Sequence, residues 1–183
     1  MSRFSPKDLL RDLDRAVHLF KKYDLDYVLI GGLVLGVWGR PRTTVDLDFL
    51  ILVAEEGMRS FKTQLSQEGL KIDRTWTKWN PLLGKSHLRV QGDHVVIDLM
   101  IPRDAHEREI FKQKKRKKLE GKIYNVVGPE DFILQKLKVG RPHDFEDALT
   151  VLQRMRGNLD WTYLHRWAKD LGLLKELNYM QRL

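Results

Sequence analysis

The 183-residue chain has no cysteine, which excludes disulfides and thiolate metal sites and permits a reducing compartment. It also lacks a long apolar run. The longest, Tyr27 to Trp38, is interrupted only by glycines and falls well short of the ~20 residues that span a bilayer. The opening Met1-Ser2-Arg3-Phe4-Ser5 leads into charged residues and does not read as a signal peptide. A cytoplasmic protein without membrane contact is expected. Neither a Gly-x-x-x-x-Gly-Lys-Ser/Thr loop nor a Gly-x-Gly-x-x-Gly fingerprint occurs, which disfavours P-loop and Rossmann readings. His106-Glu107-Arg108-Glu109-Ile110 begins like a zinc-peptidase helix but has no second histidine.

The composition is that of a globular protein, with 42% hydrophobic and 32% charged residues. Net charge is +8 and the pI is near 9.7, a balance that favours polyanionic partners. The excess is uneven: nine Lys or Arg stand against four acids between Arg103 and Lys122. Within that stretch lies Lys114-Lys115-Arg116-Lys117-Lys118, read either as a solvated loop or helix face or as a contact for RNA phosphates.

Ser5-Pro6-Lys7-Asp8 marks a capped helix start, and Leu9, Leu13, Ala16, Val17 and Phe20 continue it at helical spacing over residues 6–22. A short buried strand at 27–30 runs into Gly31-Gly32, followed by a short helix to Trp38. Residues 45–53 read as a second strand and 55–68 as a helix. Trp76, Trp79 and Asn80-Pro81 suggest a strand and loop before a strand at 87–90, with both tryptophans assigned to core packing rather than base stacking. Strands follow at 94–101 and 122–127. Beyond Gly128-Pro129 only helices are expected, near 129–139, 143–156, 160–171 and 173–181. The fold class is therefore mixed α/β (α+β): a core over residues 1–127 and a small C-terminal helical lobe over 128–183.

Three acids break the apolar pattern. Asp46 and Asp48 are two residues apart in a strand and must point to the same side. Asp98 interrupts Val95-Val96-Ile97-Asp98-Leu99-Met100-Ile101. If these strands are neighbours at ~4.8 Å, the three carboxylates converge. Three hard oxygen donors suit Mg2+ or Mn2+, as a pair of ions ~3.5–4 Å apart does in phosphoryl transfer. The structural alternative pairs the acids with Arg40, Arg42 or Arg89. Gly31-Gly32, at a strand-to-helix turn, suits the approach of a phosphate but also serves tight packing.

Gly31-Gly32, thirteen residues, Asp46-Leu47-Asp48 and a third Asp on a later apolar strand resemble the DNA-polymerase-β-like nucleotidyltransferase superfamily. The segment Arg42-Thr43-Thr44-Val45-Asp46-Leu47-Asp48 is similar to minimal nucleotidyltransferases, in particular the AbiEii-like branch that includes toxin components of toxin–antitoxin pairs. The resemblance covers residues 27–101 and about 129–150. It implies a mixed sheet with packed helices, an NTP donor, and divalent metal at Asp46 and Asp48. Asp98 would hold metal as well or accept the proton of the attacking hydroxyl. It further implies a nucleotide-site lysine at Lys136 and an aspartate at Asp144, where His143 stands in place of the family's usual Arg and Asp147 is a competitor. Gly31, Gly32, Arg40, Arg42 and Thr44 complete the candidate nucleotide-binding set. The acceptor would be an RNA or tRNA end, a protein or a small molecule, and a toxin role would bring an antitoxin partner. The rival is a non-catalytic nucleic-acid binder on a decayed fold, for which clustered acids would be a handicap.

Overall fold

The computed structural model describes residues 5–54, 57–79 and 86–183. Helix α1 (Pro6–Lys22) starts with a capping box between Ser5 and Asp8, with Pro6 in its first turn. Its apolar stripe lies on a sheet formed by β1 (Tyr27–Ile30), β2 (Asp46–Ile51), β3 (Lys71–Ile72), β4 (His87–Gln91), β5 (Val96–Met100), β6 (Lys115–Leu119) and β7 (Lys122–Val126). In the described residues the order is β3-β4-β5-β2-β1-β7-β6. β2 runs parallel to β5, and β1 parallel to β7, while the other neighbours pair antiparallel. The fold is thus mixed α/β.

Alternation along β2 decides which face does what. Phe49 packs on Phe20 of α1 with ring centroids 5.1 Å apart, so that face is core. Asp46 and Asp48 therefore point to the opposite face. Asp12, buried on α1, accepts hydrogen bonds from the backbone N–H groups of His94 and Val95, both at 2.8 Å, and so ties the entry to β5 onto the core helix. The remaining helices are α2 (Gly31–Trp38), α3 (Met58–Gln67), α4 (Arg74–Trp79), α5 (Ala105–Gln113), α6 (Pro129–Val139), α7 (Pro142–Met155), α8 (Trp161–Asp170) and α9 (Leu174–Gln181). Gly140, at φ 73°, ends α6 in the left-handed conformation and turns the chain into α7.

Three stretches depart from expectation. Residues 74–79 form a helix where strand and loop were expected, started by the Asp73 carboxylate accepting from the Trp76 N–H at 2.8 Å. The expected turn at Asn80-Pro81 lies outside the described residues, as does the start of the helix expected at 55–68. Residues 105–113 are helical within what was read only as a basic stretch; Asp104 caps them by accepting from the Glu107 N–H. The basic run itself is neither loop nor helix: Lys115–Leu119 is the edge strand of a hairpin with β7. Glu120 and Gly121 both have positive φ, as a two-residue hairpin turn requires. Lysines on an exposed edge discourage pairing with another chain, which gives the run a structural reason for its charge. Trp79 is 79% exposed, against the core role expected for it.

Candidate active site

The strand register sets Asp48 of β2 beside Asp98 of β5, and Asp98 beside Arg89 of β4. One row across three strands reads carboxylate, carboxylate, guanidinium. Asp46, two residues before Asp48, lies on the same face, and one oxygen from each of Asp46, Asp48 and Asp98 falls within 4.8 Å of the others.

The three acids differ in their partners. Asp46 accepts a 2.7 Å hydrogen bond from the Thr44 hydroxyl. Asp98 is buried and accepts two bonds from Arg89, at 2.9 and 2.8 Å, with His87 Nε2 at 2.9 Å. Burial pushes its carboxyl up, but the bonds from His87 and Arg89 outweigh this and hold it below the usual carboxylate range. Asp48 has no hydrogen bond or ion pair among the described residues. Burial, then the charges of Asp46 and Asp98, push its carboxyl up to about 7, against weaker opposition from Lys136 and Arg89. A set of hard oxygen donors within one ion's reach, with one carboxyl lacking a counter-charge, fits Mg2+ or Mn2+.

Gly31 and Gly32 are required by close approach. At Gly31 a Cβ would stand 2.0 Å from Asp48 Oδ2, and its φ is +71°. At Gly32 a Cβ would meet the Thr44 hydroxyl at 2.8 Å. The glycine pair thus brings the N-terminus of α2 against the acids of β2.

Beside this cluster lies a chain of ion pairs. Lys136 of α6, nearly buried, reaches both Asp144 and Asp147 of α7 at 2.8 Å. Asp147 also accepts two bonds from Arg42, both at 3.0 Å, and Asp144 one from Arg141 at 2.6 Å. Burial raises both acids, but Arg141 and Lys136 hold Asp144 low, as Arg42 and Lys136 hold Asp147. Lys136 therefore does not choose between the two aspartates; it bridges them. His143 lies 3.7 Å from Asp144, and Arg141, one helical turn before that acid, supplies the guanidinium.

Of the residues singled out in the sequence, Gly31, Gly32, Thr44, Asp46, Asp48 and Asp98 come together, and Arg42, Lys136, Asp144 and Asp147 form the adjoining network. Arg40 joins neither: it is exposed, and its backbone N–H bonds to Thr150 at 3.3 Å. Of the three arginines weighed as partners for the acid cluster, Arg89 takes that place, whereas Arg42 pairs with Asp147. His87 was missed, and Trp76 was assigned to core packing. His87 shares the face of Arg89 because the two are two residues apart on β4, and Trp76 of α4 lies over both, 4.4 Å from the imidazole and 5.1 Å from the guanidinium. The alternation His87-Leu88-Arg89 opposite Asp98 carries that signal once the pairing of β4 with β5 is known.

The fold has solved counterparts. The chain superposes on the antibiotic-resistance factor ANT(2'')-Ia with a TM-score of 0.64 at 8% identity, covering 96% of this chain and 99% of that one. The lincosamide antibiotic adenylyltransferase LnuA gives 0.54 at 14% identity, with 77% and 94% covered. A nucleotidyltransferase-like protein from Paracoccidioides brasiliensis gives 0.52 at 17% identity, with 90% and 92% covered. At these identities the likeness is one of fold. No curated protein matches the sequence. A family model described as "Nucleotidyl transferase of unknown function (DUF2204)" matches residues 9–170. The chain belongs to that nucleotidyl transferase family.

Proposed function

We propose that the protein moves a nucleoside monophosphate from an NTP to an acceptor hydroxyl, with release of pyrophosphate, and that it requires a divalent metal ion. The observation that carries this is the convergence of Asp46, Asp48 and Asp98 within 4.8 Å, where among the described residues no protein cation bonds Asp48 and its carboxyl is pushed up to about 7.

Asp46, Asp48 and Asp98 would hold Mg2+ or Mn2+. Such an ion, when bound, supplies neutralisation of phosphate charge and polarisation at phosphorus. The backbone N–H groups of Gly31 and Gly32, at the start of α2, present partial positive charge to the phosphates. Thr44 orients Asp46 by donating to one of its oxygens and leaves the other open. Arg89 and His87 fix the Asp98 carboxylate and keep it ionised. A carboxylate so stabilised is a poor proton acceptor, so Asp98 serves here as a ligand rather than as the base. Lys136 is a compact cation for the triphosphate, and Arg42 would reach it by exchanging Asp147 for phosphate.

The finer placement is the AbiEii-like branch, whose lysine and aspartate positions are matched by Lys136 and Asp144, 2.8 Å apart; a toxin role, an antitoxin partner and a cytoplasmic site of action belong to the same proposal. Among the described residues no helix is long and apolar enough to cross a membrane.

Melting the protein with Mg2+ and each of ATP, CTP, GTP and UTP tests the donor. At a concentration 100 times its Kd, the bound nucleotide adds about 2.7 kcal/mol of stability by mass action. A rise with at least one NTP in Mg2+, absent in EDTA, is expected. No rise with any of the four would remove the NTP site.

A further inference from the structure

Asp98 owes its fixed orientation to two side chains of β4. Arg89 donates to both of its oxygens, at 2.9 and 2.8 Å, and His87 Nε2 stands 2.9 Å from one of them. Exposure rises outward along this chain: the side chains of Asp98, His87 and Arg89 are 5%, 15% and 33% exposed. An arginine that reaches solvent has several rotamers open to it, and keeping it in one costs entropy. Over the outer end lies the indole of Trp76, its ring centroid 4.4 Å from that of His87 and 5.1 Å from the guanidinium carbon of Arg89.

The backbone aims Trp76 there. Asp73 donates its N–H to the Arg89 carbonyl at 2.8 Å, and its carboxylate accepts the Trp76 N–H at 2.8 Å, so α4 starts against β4 at Arg89 itself. Arg74 and Lys78 of α4 line a groove between α3 and α4, with Arg59, Lys62, Ile72 and Leu88. Leu88 points to the opposite face of β4 from His87 and Arg89. Trp76 lies about 200° round the helix from Arg74, at roughly 100° per residue, and so turns back to the face that carries Asp46, Asp48 and Asp98. The face of a tryptophan attracts a guanidinium. A ring laid over a hydrogen-bonded pair also keeps water from it, which strengthens its bonds. The indole therefore restrains both residues that hold Asp98.

We propose that Trp76 is a positioning residue for the metal: by lying over His87 and Arg89 it holds the Asp98 carboxylate in the orientation that lets it share an ion with Asp46 and Asp48. This rests on the metal reading of the acid cluster and adds to it a residue that acts through two others. Side chains that orient metal ligands from behind set metal affinity on the scale of about 10–100-fold. Trp76 stands one step further out than His87 and Arg89, so the lower end of that range applies.

The test is titration of the full chain with Mn2+ in the absence of NTP, with free Mn2+ read by electron paramagnetic resonance. Compared are wild type, Trp76→Leu, Trp76→Phe and Asp48→Asn, with Trp79→Ala as the control for loss of an indole from the same helix, since Trp79 is 79% exposed. Trp76→Leu keeps apolar bulk but has no π face, and should weaken Mn2+ binding about tenfold. Trp76→Phe should restore most of the affinity, because a phenyl ring still attracts the guanidinium. Trp79→Ala should bind as wild type does. In transfer assays Trp76→Leu should keep a kcat near wild type at saturating Mn2+, while the metal concentration for half-maximal rate rises by the same factor as the dissociation constant. Melting in EDTA and calorimetric titration with a nonhydrolysable NTP at saturating Mn2+ separate the other roles. Lower stability with wild-type Mn2+ affinity in Trp76→Leu would make the indole a packing residue, and overturns the inference. Loss of NTP affinity with Mn2+ affinity intact would set Trp76 against the nucleotide, and overturns it too, as would equal Mn2+ losses in Trp76→Phe and Trp76→Leu. Mn2+ binding that needs Asp48 but not Trp76 refutes this inference alone. Absence of any Asp48-dependent Mn2+ binding in wild type refutes the metal reading beneath it.

Discussion

In EDTA, Asp48→Asn is expected to melt above wild type by a margin that grows from pH 5 to pH 8, while nucleotidyl transfer in Mg2+ collapses. The sign follows from linkage. Asp48 ionises near the ordinary aspartate value of 3.8 when unfolded but at about 7 when folded, because burial and the charges of Asp46 and Asp98 disfavour the anion. The native state therefore holds a proton that the unfolded chain has lost, and stability is full below the unfolded value and falls as pH rises through the folded one. Across pH 5 to 8 the loss is roughly 2–3 kcal/mol, or on the order of 5–10 °C for a chain of this size. Asn carries no proton to lose, so the variant escapes it. The acids whose values are lowered, Asp98, Asp144 and Asp147 among them, act in the opposite sense and at lower pH. They give stability that is lost only as pH falls below the ordinary carboxylate range, so the two windows separate. Metal should reverse the ranking: saturating Mg2+ stabilises wild type and leaves Asp48→Asn nearly unmoved. The loss of transfer should be about 10²–10⁴-fold, the several kcal/mol that charge stabilisation by a metal supplies. Melting in EDTA at three pH values, with transfer assays alongside, checks both halves. A variant that is less stable than wild type at pH 8 yet transfers normally would be incompatible with Asp48 as a metal ligand.

Lys136→Ala is expected to cost both stability and nucleotide affinity. The residue is 9% exposed, and its side chain holds Asp144 and Asp147 together at 2.8 Å each. Removing one partner of a buried pair costs about 3–5 kcal/mol, because the other charge is left uncompensated. Arg141 and Arg42 still reach the two acids, so the lower end of that range applies. Affinity for a nonhydrolysable NTP should drop by roughly 1.5–3 kcal/mol, the scale of a hydrogen bond to a charged group. Denaturant unfolding and calorimetric titration read the two effects separately. If stability falls while NTP affinity holds, Lys136 is a structural pin between α6 and α7 and nothing more.

The fold was legible wherever periodicity and caps agreed. Pro6 to Lys22 and Pro129 to Val139 emerge with the expected limits, since Ser5-Pro6 and Gly128-Pro129 fix their starts and Gly140 the end of α6. The Lys115–Leu119 strand was hidden because its pairing with β7 is set by the Glu120-Gly121 turn and not by an apolar face. Lysine alternating with lysine leaves no period to read. Arg74–Trp79 was hidden for a related reason: a six-residue helix completes less than two turns, and its tryptophans mimic a strand.

The acid cluster was legible because Asp46, Asp48 and Asp98 interrupt apolar strands, where a charge is conspicuous. Their neighbours were not. Whether Arg40, Arg42 or Arg89 would pair with the acids depends on strand order, which the chain does not spell out residue by residue. β4 lies next to β5, so Arg89 and His87 take Asp98, while the loop carrying Arg42 faces α7 and Asp147. The same holds for the groove between α3 and α4. Arg59 and Lys62 are separated from Arg74 and Lys78 in sequence, and the groove exists only because β3 returns the chain alongside β4.

The most direct measurement follows the phosphorus. The protein is incubated with Mg2+ and the NTP that raises its melting point, labelled in parallel at the α- or the γ-phosphate, together with single-stranded RNA, single-stranded DNA and total cellular protein. Attack at the α-phosphorus leaves the α-label on the acceptor and sends the γ-label out as pyrophosphate. That result is predicted, with incorporation abolished by EDTA and by Asp48→Asn. Transfer of the γ-label to an acceptor would show a phosphotransferase instead, and would contradict nucleotidyl transfer at the Asp46, Asp48 and Asp98 cluster.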